Sequence, residues 1–197
     1  MKKFIFLFLT LFFSSLISYA QTNDENSGKK SSYEEFISKT GTLVRYTEYP
    51  LPDIVKGSWK SYATSALLRK VTIGDDNKWY LNLTKERYQL SDLSVFIPSE
   101  DLTELLRATE QLEKIYESLD DIGEATYVEE KFETKDDLRI GFYIQKQVSK
   151  NGNATLKKKW FMNLNTNYRG GSNFFDTSVE LKSCFQTALD AISQYSE

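Results

Sequence analysis

A five-residue block that occurs twice constrains this chain more than any other feature. Trp79-Tyr80-Leu81-Asn82-Leu83 aligns with Trp160-Phe161-Met162-Asn163-Leu164, and each block follows a turn-forming stretch. Downstream, Ser99-x-x-Leu102-x-x-Leu105-Leu106 aligns with Ser178-x-x-Leu181-x-x-Cys184-Phe185. Upstream, Tyr46-x-Glu48 aligns with Tyr127-x-Glu129. Three matches in one order, at nearly one spacing, predict an internal repeat.

The pattern between these landmarks says what repeats. Short runs rich in Val, Ile, Leu, Thr and Tyr, broken by Pro50, Pro52, Gly57 and Gly74-Asp75-Asp76-Asn77, predict strands over 42–49, 59–73, 78–85 and 88–97. The second half predicts strands over 125–134, 138–148, 155–165 and 172–176, with turns at Lys150-Asn151-Gly152-Asn153 and Arg169-Gly170-Gly171. Each set leads into a helix. Ser99 is placed to cap the first, Glu100 and Asp101 suit its positive end, and Leu102, Leu105, Leu106, Thr109, Leu112 and Ile115 form one apolar stripe. The second starts at Ser178 and carries Leu181, Cys184, Phe185, Ala188 and Ile192 on one side. A sheet with one apolar face and a helix with one apolar stripe cannot bury both alone. The expected fold is therefore α+β, two tandem ββββα units over 33–122 and 123–197, in which antiparallel sheets and helices share a core about an approximate two-fold axis. A short helix over 33–39, capped by Ser32 and stopped at Gly41, should precede them and pack on an edge or an end through Tyr33, Phe36 and Ile37.

The chain begins Met1-Lys2-Lys3, continues apolar from Phe4 to about Ile17, and reaches Ser18-Tyr19-Ala20 before Gln21. Basic start, short apolar run and small residues together predict a signal peptide over 1–20, cleaved after Ala20. No cysteine stands at the end of the apolar run to carry a lipid anchor, so the expected destination is soluble, in the periplasm or outside the cell. Residues 21–32 lack aromatic and branched aliphatic side chains and read as a disordered tether. About 175 residues then remain, enough to bury a core.

Several chemistries are excluded. The chain has no histidine, which removes Ser-His and Cys-His nucleophile systems and every His-ligated metal site. Cys184 is the single cysteine, so no intramolecular disulfide forms, and its place on the apolar side of the last helix predicts a buried thiol. The formal net charge of -3 becomes more acidic once Lys2 and Lys3 leave, which points away from nucleic acid. The doublets Asp75-Asp76, Asp120-Asp121, Glu129-Glu130 and Asp136-Asp137 are the remaining catalytic option, and turn or strand-surface roles account for them. Gly74-Asp75-Asp76-Asn77 lacks the spaced acids of a calcium loop, and no phosphate-cradling glycine motif occurs. Neither a metal nor another cofactor is expected.

Charge is uneven along the chain. From Arg139 to Phe175 there is no acidic residue, but Arg139, Lys146, Lys150, Lys157, Lys158, Lys159 and Arg169 are present. If Ile140, Phe142, Ile144, Trp160 and Met162 face the core, then Arg139, Tyr143, Gln145, Lys157, Lys159, Phe161 and Asn163 share the opposite face. Tyr80 and Asn82 take the equivalent place in the first unit. The candidate ligand surface is thus Arg139, Tyr143, Lys157, Lys159, Phe161 and Asn163, with Tyr80 and Asn82. An aromatic and an amide repeated on a sheet face can stack on and hydrogen-bond a sugar, a base or a peptide. In element order alone, two tandem ββββα units resemble the Whirly and PUR-type single-strand-binding folds, which implies a curved, exposed sheet. The leading expectation is an exported, non-catalytic module that binds an anionic glycan, a lipid head group or a protein partner. The alternatives are a structural or inhibitor-like protein docked on another exported protein, and a carboxylate-based enzyme.

Overall fold

The computed structural model describes residues 30–38, 41–54, 63–87, 89–149, 151–152, 154–164 and 171–196. The predicted signal peptide, most of the predicted tether, the start of the predicted second strand at Trp59, and Tyr88, Lys150, Asn153, Asn165, Arg169 and Gly170 lie outside the described residues.

Two four-stranded antiparallel sheets are present, each with its strands in chain order and each followed by a helix. The first comprises β1 (Val44–Ile54), β2 (Thr64–Ile73), β3 (Asp76–Lys85) and β4 (Leu93–Pro98). The second comprises β5 (Tyr127–Glu133), β6 (Leu138–Val148), β7 (Ala154–Leu164) and β8 (Ser172–Phe175). Among the described residues the helices are α1 (Ser32–Ile37), α2 (Ser99–Ser118) and α3 (Val179–Ser196). This is the α+β arrangement of two ββββα units expected from the repeat.

Register fixes which faces are apolar. Leu68 pairs with Leu81 and Leu81 with Ile97, while Ile140 pairs with Met162 and Phe142 with Trp160, so each sheet turns a continuous apolar face to the helices. One core cluster contains residues of both sheets and both long helices, from Leu81, Leu83 and Ile97 through Leu102 and Leu105 to Phe142, Trp160, Leu181 and Phe185. At Gly74, φ is +62°, a conformation glycine adopts without a Cβ clash, and it opens the two-residue β2–β3 turn.

The helices bind the units to each other. α2 lies against α3, against β3 and β4 of its own sheet, and against β5 and β6 of the other; α3 lies against β1 and β2 of the first sheet. Near its C-terminal end, Tyr116 of α2 reaches Phe142 and Trp160 of the second sheet, with ring centroids 5.1 and 5.3 Å apart. Tyr195 of α3 stacks at 4.0 Å on Tyr49 of the first sheet, which in turn touches Trp79. Counted from Leu102 and Leu181, Tyr116 and Tyr195 hold the same place in their helices, so each unit sends an equivalent aromatic to the sheet of the other.

Four sequence expectations are corrected. Helix α1 does not pack on an edge or an end: Tyr33 and Phe36 cluster with Val71, Ile73 and Tyr80 on the outer face of the first sheet. It is capped by Ser31 rather than Ser32, through a capping box with Glu34. Pro98, not Ser99, holds the N-cap position of α2, and the Ser178 hydroxyl binds the Glu113 carboxylate at 2.5 Å. Finally, Tyr46-x-Glu48 and Tyr127-x-Glu129 are not equivalent in space. With Trp79 and Trp160 superposed, the ladders place Tyr46 with Glu129 and Glu48 with Lys131, a slip of two residues that keeps the face but changes the neighbours.

A candidate binding face on the second sheet

Alternation decides what the outer face of the second sheet can present. Inward Ile140, Phe142, Trp160 and Met162 are at most 1% exposed, which leaves Arg139, Tyr143, Lys157, Lys159, Phe161 and Asn163 pointing away from the core. Strand β5 adds Tyr127 and Glu129, and β8 adds Ser172 and Phe174. An open cavity of about 340 Å³ lies on this face, lined by Tyr127, Glu129, Arg139, Tyr143, Gln145, Phe161, Asn163, Ser172 and Phe174.

Rings run across the strands. Tyr127 on β5 stacks on Tyr143 on β6 at 5.9 Å, and Tyr143 meets Phe174 on β8 edge-on at 6.1 Å. Tyr127 and Phe174 are 49% and 42% exposed, so the shelf is open to a ligand. The Tyr127 hydroxyl donates to Glu129 at 2.5 Å. Desolvation together with that carboxylate pushes the phenol up to about 12, so it stays a donor at neutral pH. Buried Oδ1 of Asn163 has no hydrogen-bond partner among the described residues.

Most of the charges on this face are answered locally. Arg139 donates from Nε and Nη2 to Glu133 at 3.0 and 2.8 Å, and Lys159 is ion-paired with Asp176, whose hydrogen bond raises the lysine pKa. Lys131 lies 3.9 Å from Glu129. Lys157 is exposed beside this set. On the inner face, Lys158 sits over the Tyr116 ring and pairs with Asp120. The acid-free stretch of sequence therefore does not become a uniformly cationic surface.

The first sheet shows the same face filled. Tyr80 occupies the position of Phe161, and Asn82 that of Asn163, but α1 lies over them and Tyr80 is fully buried. Tyr33 of α1 stacks on Phe96 at 4.0 Å, meets Tyr80 edge-on at 5.2 Å, and accepts a 2.7 Å hydrogen bond from Arg69, which also pairs with Glu48. Phe36 contacts Tyr80, with Lys78 over its ring at 5.1 Å. The turn between β5 and β6 holds the N-terminus of α1, where Asp136, 7% exposed, accepts the Ser32 N–H at 2.8 Å.

Two small residues make the difference. Opposite Tyr80 in the ladder stands Arg69, whereas opposite Phe161 stands Gly141; opposite Asn82 stands Phe96, whereas opposite Asn163 stands Ser172. Removal of a guanidinium and a phenyl ring at these two places opens the cavity. Gly141 is also required by the strand pairing, since a Cβ there would lie 2.2 Å from the Glu130 carbonyl oxygen and 2.9 Å from Lys131 Cα.

Of the residues named from sequence, the structure brings Arg139, Tyr143, Phe161 and Asn163 together in the cavity wall and sets Lys157 and Lys159 beside it. Tyr80 and Asn82 belong to the covered face of the other sheet. Sequence reasoning missed Tyr127, Glu129, Ser172 and Phe174 as site residues. Alternation against inward Phe175 was the available signal for Phe174, and the neighbours of Tyr127 depended on a strand register that the repeat misaligned.

Of the carboxylate doublets only Asp136 is buried, at the N-terminus of α1. Asp75, Asp76, Asp120, Asp121, Glu129, Glu130 and Asp137 are exposed, and among the described residues no group of three or more His, Cys, Asp or Glu side chains is placed to hold a metal ion. No described helix is long and apolar enough to cross a membrane. Comparisons of the chain with protein-family models, with curated proteins and with solved structures found no match.

Proposed function

We propose that this chain is an exported, non-catalytic binding module that takes its ligand on the outer face of the second sheet. The observation that carries the proposal is the difference between the two copies: the centre of one outer face, around Tyr80, is covered by a segment of the chain itself, and the equivalent part of the other is an open aromatic shelf over a cavity. Large apolar rings left exposed beside a concavity, with a few polar groups converging on it, are the ordinary make-up of a ligand site. Export is supported by the Met1–Ala20 pattern, and the non-catalytic reading by the absence of histidine and the scattered carboxylates.

The pairing of Arg139 with Glu133 and Lys159 with Asp176 favours a protein ligand over an anionic polymer. Such a polymer would have to displace carboxylates already in place, whereas rings and amides bind peptide groups without that exchange. The test places a photo-crosslinking amino acid at Phe174 or Tyr127 in the producing cells, with an exposed α2 position, Glu110, as control. Adducts formed from the sheet positions and not from Glu110 are expected. Adducts from Glu110 alone, or from none of the three, would refute the assignment of this face.

A further inference from the structure

The first sheet supplies a template for what the second one binds. α1 brings Tyr33 and Phe36, three residues apart and so on one side of the helix, onto Tyr80, Phe96 and Arg69, with acidic Glu34 and Glu35 turned outward. On the second sheet Phe161 stands for Tyr80 and Lys159 for Lys78, while Tyr143 and Phe174 offer a ring face and a ring edge where Gly141 and Ser172 leave room. Lys131, Arg139, Lys157 and Lys159 face Glu129, Glu133 and Asp176 around this surface, so cations are in excess by one. We propose that the outer face of the second sheet docks a short, acidic helical segment of another polypeptide with two aromatic residues three positions apart, seated as α1 is seated on the first sheet. This rests on the binding-module reading and specifies its ligand.

The geometry explains why such a ligand would be selected. A six-residue helix has too few hydrogen bonds to persist alone in water, so it becomes ordered only where its rings are taken up. On the first sheet the aromatic contacts and the Arg69–Tyr33 hydrogen bond do this with the helix already tethered to the sheet. A ligand from another chain lacks the tether and binds more weakly than α1 for the same contacts. That suits capture of a segment presented many times or held close by a larger partner.

The probe is a synthetic peptide of residues 30–38, blocked at both ends, titrated into the full mature chain and followed by amide chemical shifts. The expected result is shifts grouped at Gly141, Gln145, Asn163 and Ser172, lost when the peptide carries Tyr33→Ala and Phe36→Ala, with affinity weakened at least about tenfold by Phe174→Ala in the protein. Shifts confined to the surroundings of Asn82 and Phe96 would mean exchange with the chain's own helix and would overturn the proposal. So would affinity unchanged by Phe174→Ala, or no response to millimolar peptide. Heparin and phosphatidylglycerol vesicles are titrated in parallel. If either moves the amides of this face and the peptide does not, the helical ligand is refuted while the binding face stands; if none of the three does and crosslinking from Phe174 is blank, both fall.

Discussion

Replacing Tyr33 by alanine tests how the first sheet is sealed, and with it the template for the second. The residue is 9% exposed, its ring stacks on Phe96 and meets Tyr80 edge-on, and its hydroxyl accepts from Arg69. An aromatic side chain of this kind removes about 150–200 Å² from water, worth roughly 4–5 kcal/mol at about 25 cal/mol per Å². Alanine keeps a part of that burial and avoids about 1 kcal/mol of side-chain ordering, so the expected net loss is about 3 kcal/mol. Tyr33→Phe keeps the rings and removes only the acceptor for a charged donor that still has Glu48, so about 1 kcal/mol is expected. Urea unfolding followed by tryptophan fluorescence reads the global loss. Amide exchange at Glu35 and Ser38, whose N–H groups bind the Ser31 and Glu34 carbonyls, reads detachment of α1 itself. Both amides should lose protection in Tyr33→Ala and keep most of it in Tyr33→Phe. Unchanged exchange together with a loss below about 0.5 kcal/mol in Tyr33→Ala would show that these rings do not hold the helix, and the template argument would go with them.

Gly141→Ala should destabilise the protein by more than about 3 kcal/mol in the same urea assay, because its Cβ would meet the β5 backbone rather than a side chain that can turn aside. Phe174→Ala, at an exposed position, should change stability by less than about 1 kcal/mol, which makes it a usable probe of binding. Lys85 is buried and donates to the Ser172 carbonyl and Asn173 Oδ1, both at 2.6 Å, so Lys85→Met leaves two acceptors without their donor and should cost about 2 kcal/mol at neutral pH. Burial lowers the Lys85 pKa, so below 10.5 the unfolded chain holds this proton more tightly than the folded one, and the group's contribution to stability rises with pH in that window; Lys85→Met should remove that rise. Cys184 acts in the opposite sense, since burial pushes its thiol from 9.0 up to about 12 and the unfolded chain loses this proton first. Its contribution is complete below pH 9 and is lost as pH climbs toward 12, so Cys184→Ala should reduce the alkaline loss of stability, and a thiol reagent should label Cys184 only at the rate of unfolding.

The repeat, the strand count and most inward residues were legible because sheet alternation and helix periodicity are local, as β6 and α3 of the second unit show; Ile115, read as part of the first helix's apolar stripe, is instead exposed near the end of α2. The position of α1 was not. Its apolar face, Tyr33, Phe36 and Ile37, was plain in sequence, but its receptor is made of Val71, Tyr80 and Phe96 from three strands, which only the ladder brings together. The charge of the second face was misleading for the same reason. An acid-free run of sequence acquires carboxylates from Glu133, Asp176 and Asp120, which lie outside the run or across the core. The exchange of Tyr116 and Tyr195 between units was visible as a repeated tyrosine near each helix end, yet nothing local says that it reaches the other sheet.

Two copies of one unit need not keep one function, and here they differ both inside, where Lys70 and Thr72 stand at the places of buried Phe142 and Ile144, and on the outer faces, where the difference bears on binding. Leu81 and Met162, Trp79 and Trp160, and Leu102 and Leu181 keep their places, so these parts of the interior are held while the outer faces vary. On the first face Arg69 and Phe96 complete a seat that the chain fills with its own α1. On the second, Gly141 and Ser172 leave the seat unfilled, and Tyr127, Tyr143 and Phe174 keep it aromatic. If the second face had no ligand, three rings with two of them more than 40% exposed would be a standing aggregation hazard, and polar residues would serve better at Tyr127 and Phe174. Rings around a cavity, next to a copy in which α1 covers Tyr80 and Phe96, are what supports the proposal that another polypeptide covers these.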